Sequence, residues 1–348
     1  PGELLALGVL ARAGAVHAGA LGLFGTDVER DARWVQGAFG YNAAGGAIRG
    51  GQLALGMNSA GGPVDGFQLA LGANLARAPL RGVQLGSMLS WAEADLAGAQ
   101  ISAVVSTARG PLAGAQIAGV MSWAASLKGA QVALVDVAGD TAGAQVGTVS
   151  WATSLKGAQA ALLNVSGDTA GLQAGVVNVA RRMAGVQLGA LNVAEEMTGV
   201  PLGLVNVIRD GQIHLELYGS DLQPVNVAFK SGSRNVYTTL VVGGGRQGHA
   251  LYGAGVGLHL GDRFWLDTDL LSTSTLELQF PLTHANIGAH LRAIGGVQVG
   301  PVGLFAGLSL NALVPLRDDV AQSGSYVPPM AQVGPVLYWP GGLAGVRL

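Results

Sequence analysis

Few residues of this chain have the types and spacing that chemistry requires. Asp267 and Asp269 alternate on one predicted strand and would share a face, where paired carboxylates can bind a hard cation. A solvated rim of the sheet is the simpler interpretation of this pair. His259, His284 and His290 lack the tight spacing of metal ligands and are interpreted as rim or lumen residues. No Ser-His-Asp arrangement is visible, so we expect no catalytic and no metal-binding residues.

A glycine-rich segment, Gly243–Gly248, matches the G-x-G-x-x-G pattern of dinucleotide-binding loops. Such a loop holds a pyrophosphate only when a helix follows, because the helix N-terminus supplies the amide donors. The next residues, His249–Leu260, are rich in glycine and alternate, which predicts a strand. We therefore expect no nucleotide and no other cofactor.

The composition limits the remaining classes of function. Charged residues make up 11 % of the 348, hydrophobic residues 49 %, and the net charge is −2. This balance excludes a disordered chain and gives no electrostatic reason to bind nucleic acid. There is no cysteine, which excludes a thiolate nucleophile and a disulfide framework. The apolar stretch Leu4–Phe24 is interrupted by Arg12 and His17, so we interpret it as strands rather than a signal or membrane helix.

A glutamine recurs at a nearly fixed spacing through the first two thirds of the chain. The interval is sixteen residues five times, fifteen once and then fourteen four times. A period of this size indicates one supersecondary unit copied many times. The glutamines are Gln36, Gln52, Gln68, Gln84, Gln100, Gln116, Gln131, Gln145, Gln159, Gln173 and Gln187.

A second polar position follows each glutamine by six residues in the first coils and by five from Gln131 onward. We call the segment from glutamine to this slot the short arc, and the segment from the slot to the next glutamine the long arc. Each arc loses one residue when the period contracts. The slot holds Asn42, Asn58, Asn74, Ser90, Ser106, Ser122, Asp136, Ser150, Asn164, Asn178, Asn192 and Asn206.

The contraction favours one architecture over another. In an antiparallel barrel with one strand per repeat, losing one residue between the slots would turn every later side chain to the opposite face. In a coil of two short strands joined by two turns, each turn only becomes tighter. We therefore predict a β-solenoid over residues 1–210, with one large outer-membrane antiparallel barrel as the alternative.

The same pattern suggests which residues are buried. Long-arc apolar residues such as Leu80 and Leu96 would form a continuous core, and the glutamine and Asn/Ser ladders would lie outside it as a structural or interaction face. Trp91, Trp123 and Trp151, which follow the polar slot, are expected in core or edge packing. Long-arc charges alternate in sign from coil to coil, which would place opposite charges side by side.

After Asn206 the pattern changes to alternating segments with short turns, which predicts seven to nine antiparallel strands over residues 211–348. Arg317–Met330 is the one long predicted loop. This second domain is expected to be barrel-like, and to serve as a cap for the solenoid or as a membrane anchor.

The units Gly185–Ala194 and Gly199–Ile208 resemble the repeats of bacterial surface-repeat proteins from spirochaetes, Bacteroidetes and myxobacteria. Val225–Lys230 and Asn235–Thr238 are similar to the C-terminal part of that family, and the resemblance covers about residues 16–315. It implies a secreted or envelope-located surface protein without assigned catalytic residues.

Together these observations lead us to expect a non-enzymatic structural or interaction protein at the outer membrane or cell surface of a Gram-negative-type bacterium. Its partners would be the envelope itself, other copies of the chain or another protein, with no small-molecule substrate identified. The alternative function is an outer-membrane pore with a lumen lined by glutamine and asparagine.

Overall fold

The computed structural model describes residues 3–246, 249–277, 283–316 and 330–348, and every regular element in these ranges is a β-strand. The chain divides into two compact units, residues 1–181 and 182–348. Gln247 and Gly248, at the end of the glycine-rich segment, and residues 317–329 of the predicted long loop lie outside the described residues.

The repeat region is a parallel β-solenoid of about 14 turns, as predicted. The first unit ends within β17, and the second begins there. The strands are β1 (Glu3–Ala13), β2 (Val16–Val28), β3 (Ala32–Ala38), β4 (Tyr41–Ala44), β5 (Ile48–Ala54), β6 (Met57–Ala60), β7 (Val64–Ala70), β8 (Ala73–Ala76), β9 (Leu80–Gly86), β10 (Leu89–Ala92), β11 (Leu96–Ser102), β12 (Val105–Ala118), β13 (Met121–Val132), β14 (Val135–Val146), β15 (Val149–Ala160), β16 (Leu163–Ala174), β17 (Val177–Met197) and β18 (Val200–Ile208).

From β3 to β11, each 16-residue coil contains the two predicted strands, whereas β12 already joins a slot and the following glutamine in one strand. A seven-residue strand such as β7 carries the glutamine, and a four-residue strand such as β8 carries the asparagine. In the 14-residue coils the long-arc turn has disappeared, and one 12-residue strand such as β15 contains both slots. The register nevertheless keeps every slot in line, since Gln116 pairs with Gln131 across the change of period. The contraction therefore preserves the faces of the coil, as the two-strand interpretation requires.

The long arcs supply the hydrophobic core of the solenoid. Thr141 and Thr169 take the inward position in two coils. In the other coils from Ile48 to Leu155, one apolar side chain points inward, is at most 2 % exposed and is aligned with its neighbours by the parallel stacking. These residues are Ile48, Val64, Leu80, Leu96, Leu112, Leu127 and Leu155. Charges of opposite sign lie in register on the outside of this arc, as Arg49, Asp65 and Arg81 do. Arg181 and Asp168 form an exposed ion pair at 2.6 Å.

The second unit contains a closed antiparallel barrel of eight strands. It closes by pairing of its first and last strands, in which Glu216 lies opposite Arg347. Within the described residues, the short β26 pairs with β27 alone. The strands are β19 (Gln212–Ser220), β20 (Val225–Gly232), β21 (Val236–Arg246), β22 (His249–Leu260), β23 (Phe264–Glu277), β24 (Thr283–Val299), β25 (Val302–Pro315), β26 (Ala331–Val333) and β27 (Val336–Arg347).

Two sequence alternatives are settled by this topology. The parallel pairing from β1 to β16 excludes a single large antiparallel barrel. The apolar stretch near the N-terminus forms the parallel strands β1 and β2, not a helix.

Candidate functional site

The glutamine ladder lies inside the solenoid, so the prediction that it lies outside the core was wrong. Every ladder glutamine is at most 1 % exposed. From Gln52 to Gln173, each Nε2 donates to the Oε1 of the glutamine one coil earlier at 2.7–2.9 Å. The same nitrogen donates to a backbone carbonyl across the core, as Gln52 does to Ser59 at 3.1 Å. The amides are buried because stacking at about 4.8 Å lets each find its partners.

The second polar slot is also internal. All of its asparagines are 0 % exposed, which contradicts the predicted interaction face for this ladder as well. Asn58 donates to Asn74 at 2.9 Å and to the carbonyl of Leu69, one coil on, at 2.7 Å. Asn164 repeats the pattern with Asn178 at 2.8 Å and with Ala174 at 2.9 Å. Both ladders are therefore structural, and neither is available to a partner.

A column of glycines lets the strands approach at the bend before each glutamine. Ten of these glycines have φ between 133° and 151°. A Cβ at Gly98 would lie 1.9 Å from the carbonyl oxygen of Gly82 in the preceding coil. Any other residue would therefore separate the coils as well as strain the backbone.

Asp136 is the only charged residue among the twelve that occupy the Asn/Ser slot. It is 0 % exposed and lies in register between Ser122 and Ser150. Neither carboxylate oxygen accepts a hydrogen bond from another side chain among the described residues, whether from a ladder amide or from Lys128. Burial raises the pKa of Asp136 to about 7, and the backbone amide of Ala133 offsets only part of this rise.

The barrel interior holds a network of three carboxylates and three cations. Lys230 lies 3.1 Å from Glu216 and 3.0 Å from Asp267. Arg292 donates twice to Asp269, from Nε at 2.6 Å and from Nη2 at 2.9 Å. Arg347 contacts both Glu216 and Asp267 and lies over the ring of Trp265. All six charged side chains are at most 5 % exposed.

This network corrects two sequence interpretations. Asp267 and Asp269 are not on a solvated rim, and their oxygens are occupied by cationic side chains, which leaves no place for a hard cation. His259 contacts Asp267 at 2.6 Å, and His290 lies buried between Thr273 and Asn311. The side chain of His284 lies outside the described residues. No group of three metal-ligating side chains is found within the described ranges.

Sequence reasoning missed the partners in this network. Glu216, Lys230, Arg292 and Arg347 stand on four different strands, and each occupies a position that alternates with outward apolar residues. That alternation was the available signal. A charged residue flanked by apolar neighbours in a strand marks the inner face when the outer face is apolar.

The last coil of the solenoid is joined to the barrel within the second unit. The backbone N–H of Asn206 donates to Oγ of Ser231 at 3.0 Å, and its side-chain amide donates to Thr238 at 2.6 Å. Ser233 donates to the carbonyl of Gly199 at 3.3 Å. The hairpin of β20 and β21 thereby supplies the acceptors that a further coil would otherwise provide for Asn206.

The short arcs present an unusual outer surface. From Val35 onward in the first unit, every exposed large hydrophobic side chain lies between the residue before a glutamine and the residue after an Asn/Ser slot. Trp91 and Trp123 are half-buried and Trp151 is exposed, so of the predicted core or edge packing it is the edge position that the structure shows.

No membrane-spanning helix is found among the described residues. The chain matches no family model, no curated protein and no solved structure.

Proposed function

We propose that this chain is a non-enzymatic protein of the bacterial cell envelope, with its C-terminal barrel embedded in a lipid bilayer. The observation that carries the proposal is the inverted polarity of the barrel, whose exterior is apolar while the six charged side chains of the network are buried inside it, beside an inward apolar cluster that includes Trp265, Ile294 and Phe305. A water-soluble barrel of this size would bury its apolar residues and expose its charges.

The inverted polarity is visible along individual strands, where outward apolar residues alternate with inward polar ones. On β25, Leu304, Leu308 and Leu310 point outward and are at least 50 % exposed, whereas the alternating Ser309 and Asn311 are buried. The other strands repeat this arrangement. Their exposed residues include Ile213, Leu215, Leu217, Val225, Val227, Leu266, Leu270, Ile287 and Leu291.

The barrel also has the size that a membrane requires. A transmembrane strand needs about 9–11 residues, and β21 to β25 have 11 to 17. Closure leaves no strand edge unpaired in the hydrocarbon, where an unpaired backbone group costs several kcal/mol. The outward aromatic residues among those described are few, with Phe264, Tyr252 and Tyr338 the exposed examples.

The pore alternative has no support from the interior. An eight-stranded barrel is just wide enough to be filled by its own side chains. The cavity beside Tyr218, His290 and Arg292 is about 20 Å³, room for about one water molecule. The glutamines and asparagines that were expected to line a lumen are engaged inside the solenoid instead. We infer an anchor that carries the repeat scaffold at the outer membrane or cell surface.

The test is a charge placed on the outer face of the barrel. Leu308 is 74 % exposed, so Leu308→Lys costs nothing if that face meets water. If it meets hydrocarbon, a lysine near the midplane costs about 2–4 kcal/mol. We expect Leu308→Lys to lower the free energy of unfolding in phospholipid vesicles and to reduce flotation with them.

The matched control is Arg263→Lys, at the turn between β22 and β23, which keeps the charge and should change neither measurement. A wild-type protein that is monodisperse without detergent, with Leu308→Lys as stable as wild type, would refute the membrane anchor.

A further inference from the structure

The solenoid of the first unit has two edges of opposite polarity. At the long-arc edge the arrangement is that of a soluble protein, with Leu80, Leu96 and their stacked equivalents buried and the charges outside. At the short-arc edge it is reversed, because the glutamine and asparagine amides are inside and the aliphatic side chains are outside. The same inversion marks the barrel, but here it runs along one side of a rod.

The short-arc edge carries no exposed charge. From the residue before Gln36 to the residue after Asn178, Asp136 is the only charged residue within any short arc or its two flanking positions, and it is fully buried. The outward positions are instead apolar in coil after coil. The most exposed lie at the short-arc turn, and they include Phe39, Leu55, Leu71, Leu134, Leu162 and Val176.

The apolar area is too large for a free aqueous surface. From Gln36 to Gln173 there are nine coil steps of about 4.8 Å, or about 43 Å. Each short arc with its flanks adds about 25–30 Å of extended chain around the edge. The product is above 1,000 Å², compared with about 300–600 Å² for the largest patch on a typical monomer. Something apolar must cover this edge.

The shape of the edge points to a fluid covering. Gln52 on β5 donates to the carbonyl of Ser59 on β6, so the two strands of a coil face each other across the amide layer. The apolar side chains consequently cover both outer faces and the turn that joins them. A flat isologous contact between two copies would bury one face and leave the other exposed, whereas acyl chains can surround all three.

The border of the edge has the chemistry of a membrane interface. Trp91, Trp123 and Trp151 stand in one column directly before the charged long arc, and Trp side chains favour the boundary between hydrocarbon and water. The guanidinium of Arg109, on the long arc, lies 4.9 Å from the centroid of the Trp91 ring. Along each of these coils, the tryptophan therefore lies between the aliphatic residues of the short arc and the charges of the long arc.

From these observations we propose that the short-arc edge of the solenoid is inserted into the acyl-chain region of a lipid bilayer, without crossing it, while the long-arc edge remains in water. Insertion leaves the backbone satisfied, because the coils pair along the rod and the internal amides pair among themselves. The solenoid is on this proposal a membrane-surface element in its own right, and the inference does not need the barrel to be embedded.

The absence of cysteine in the chain allows a direct test with single labels. Leu134→Cys and Leu162→Cys place an environment-sensitive fluorophore at short-arc turns, and Thr153→Cys places it on the exposed outside of a long arc, on β15. The full-length variants are reconstituted in phosphatidylethanolamine–phosphatidylglycerol vesicles. The quenchers are lipids with a nitroxide midway along the acyl chain, or aqueous iodide.

We expect nitroxide lipid to quench the labels at 134 and 162 but not the label at 153. We expect aqueous iodide to quench the label at 153 but not those at 134 and 162. Quenching of the labels at 134 and 162 by iodide would overturn the proposal. So would energy transfer between labels at 162 that persists at high lipid dilution, since it would identify a second copy as the covering.

A label introduced by Leu308→Cys separates this proposal from that for the barrel. If nitroxide lipid quenches at 308 but not at 162, the barrel is embedded and the solenoid edge is not. As a second measurement, Leu162→Lys should reduce the quenching of the label at 134 by nitroxide lipid, and Thr153→Lys should not. Equal quenching at 134 in these two variants would also refute insertion.

Discussion

Asp136 makes the stability of the solenoid depend on pH in the direction opposite to that of a carboxylate paired with a cation. Its pKa is about 7 in the folded state and 3.8 in an exposed reference, because burial disfavours the charged form and no cation compensates. The folded protein therefore holds this proton more tightly than the unfolded chain. Between pH 4 and pH 7 stability falls as pH rises, and outside that window this group has no further effect.

The size of the effect follows from the difference in pKa. At 1.36 kcal/mol per unit, the loss between pH 4 and pH 8 is about 4 kcal/mol. Asp136→Asn removes the ionisation and keeps the shape. Its amide can donate to the carbonyl of Val146, one coil on, as Asn164 donates to Ala174. We expect wild type and Asp136→Asn to be nearly equal at pH 4 and the variant to be more stable by about 4 kcal/mol at pH 8.

Denaturant unfolding at a series of pH values measures this difference. Trp123 and Trp151 occupy the coils on either side of Asp136, so their fluorescence reports on the coils concerned. The matched control is Asn164→Asp, which places a carboxylate in an equivalent buried slot and should create a second loss over the same pH window. Parallel pH profiles for wild type and Asp136→Asn would show that the carboxylate is satisfied in the folded protein, and the reasoning would fail.

Three further predictions concern packing and buried charge. Gly98→Ala should prevent the solenoid from folding, because its Cβ would meet a carbonyl oxygen, whereas Gly295→Ala in the barrel meets nothing within 4 Å and should be neutral by thermal unfolding. Gln100→Leu removes one hydrogen bond from each of three buried groups of its neighbours, and at about 1–3 kcal/mol each it should lower the denaturant-derived stability by at least about 3 kcal/mol. Arg292→Leu leaves Asp269 buried without its hydrogen-bonded arginine and should lower the free energy of unfolding in vesicles by about 3–5 kcal/mol. Arg292→Lys keeps the positive charge and should restore most of this loss.

The spacing of two polar slots was enough to predict the solenoid. Gln116 and Gln131 belong to coils of different period, yet one residue lost from each arc keeps both slots in phase. That observation distinguishes a coil from a strand, because only a coil can absorb the loss in its turns. The antiparallel C-terminal strands were equally visible from their period-two alternation.

The inside and outside of the short arcs could not be assigned from alternation alone. Alternation shows that Leu69 and Gln68 face opposite ways, but not which one points inward. Ordinary hydropathy places the glutamine outside, and that choice fails because an amide ladder satisfies its own hydrogen bonds. The absence of charge from the short arcs was the better guide. A solvated face of ten coils without one Lys or Glu would be exceptional.

The join between coils of different length carries an evolutionary consequence. From Gln52 to Gln159, each ladder glutamine donates to the preceding coil and accepts from the following one. This also holds where a 16-residue coil is followed by a shorter one. A duplication or deletion of one whole coil in the gene would leave a neighbour that bonds as before. Adding or removing a whole coil therefore changes the length of the solenoid without requiring a new core.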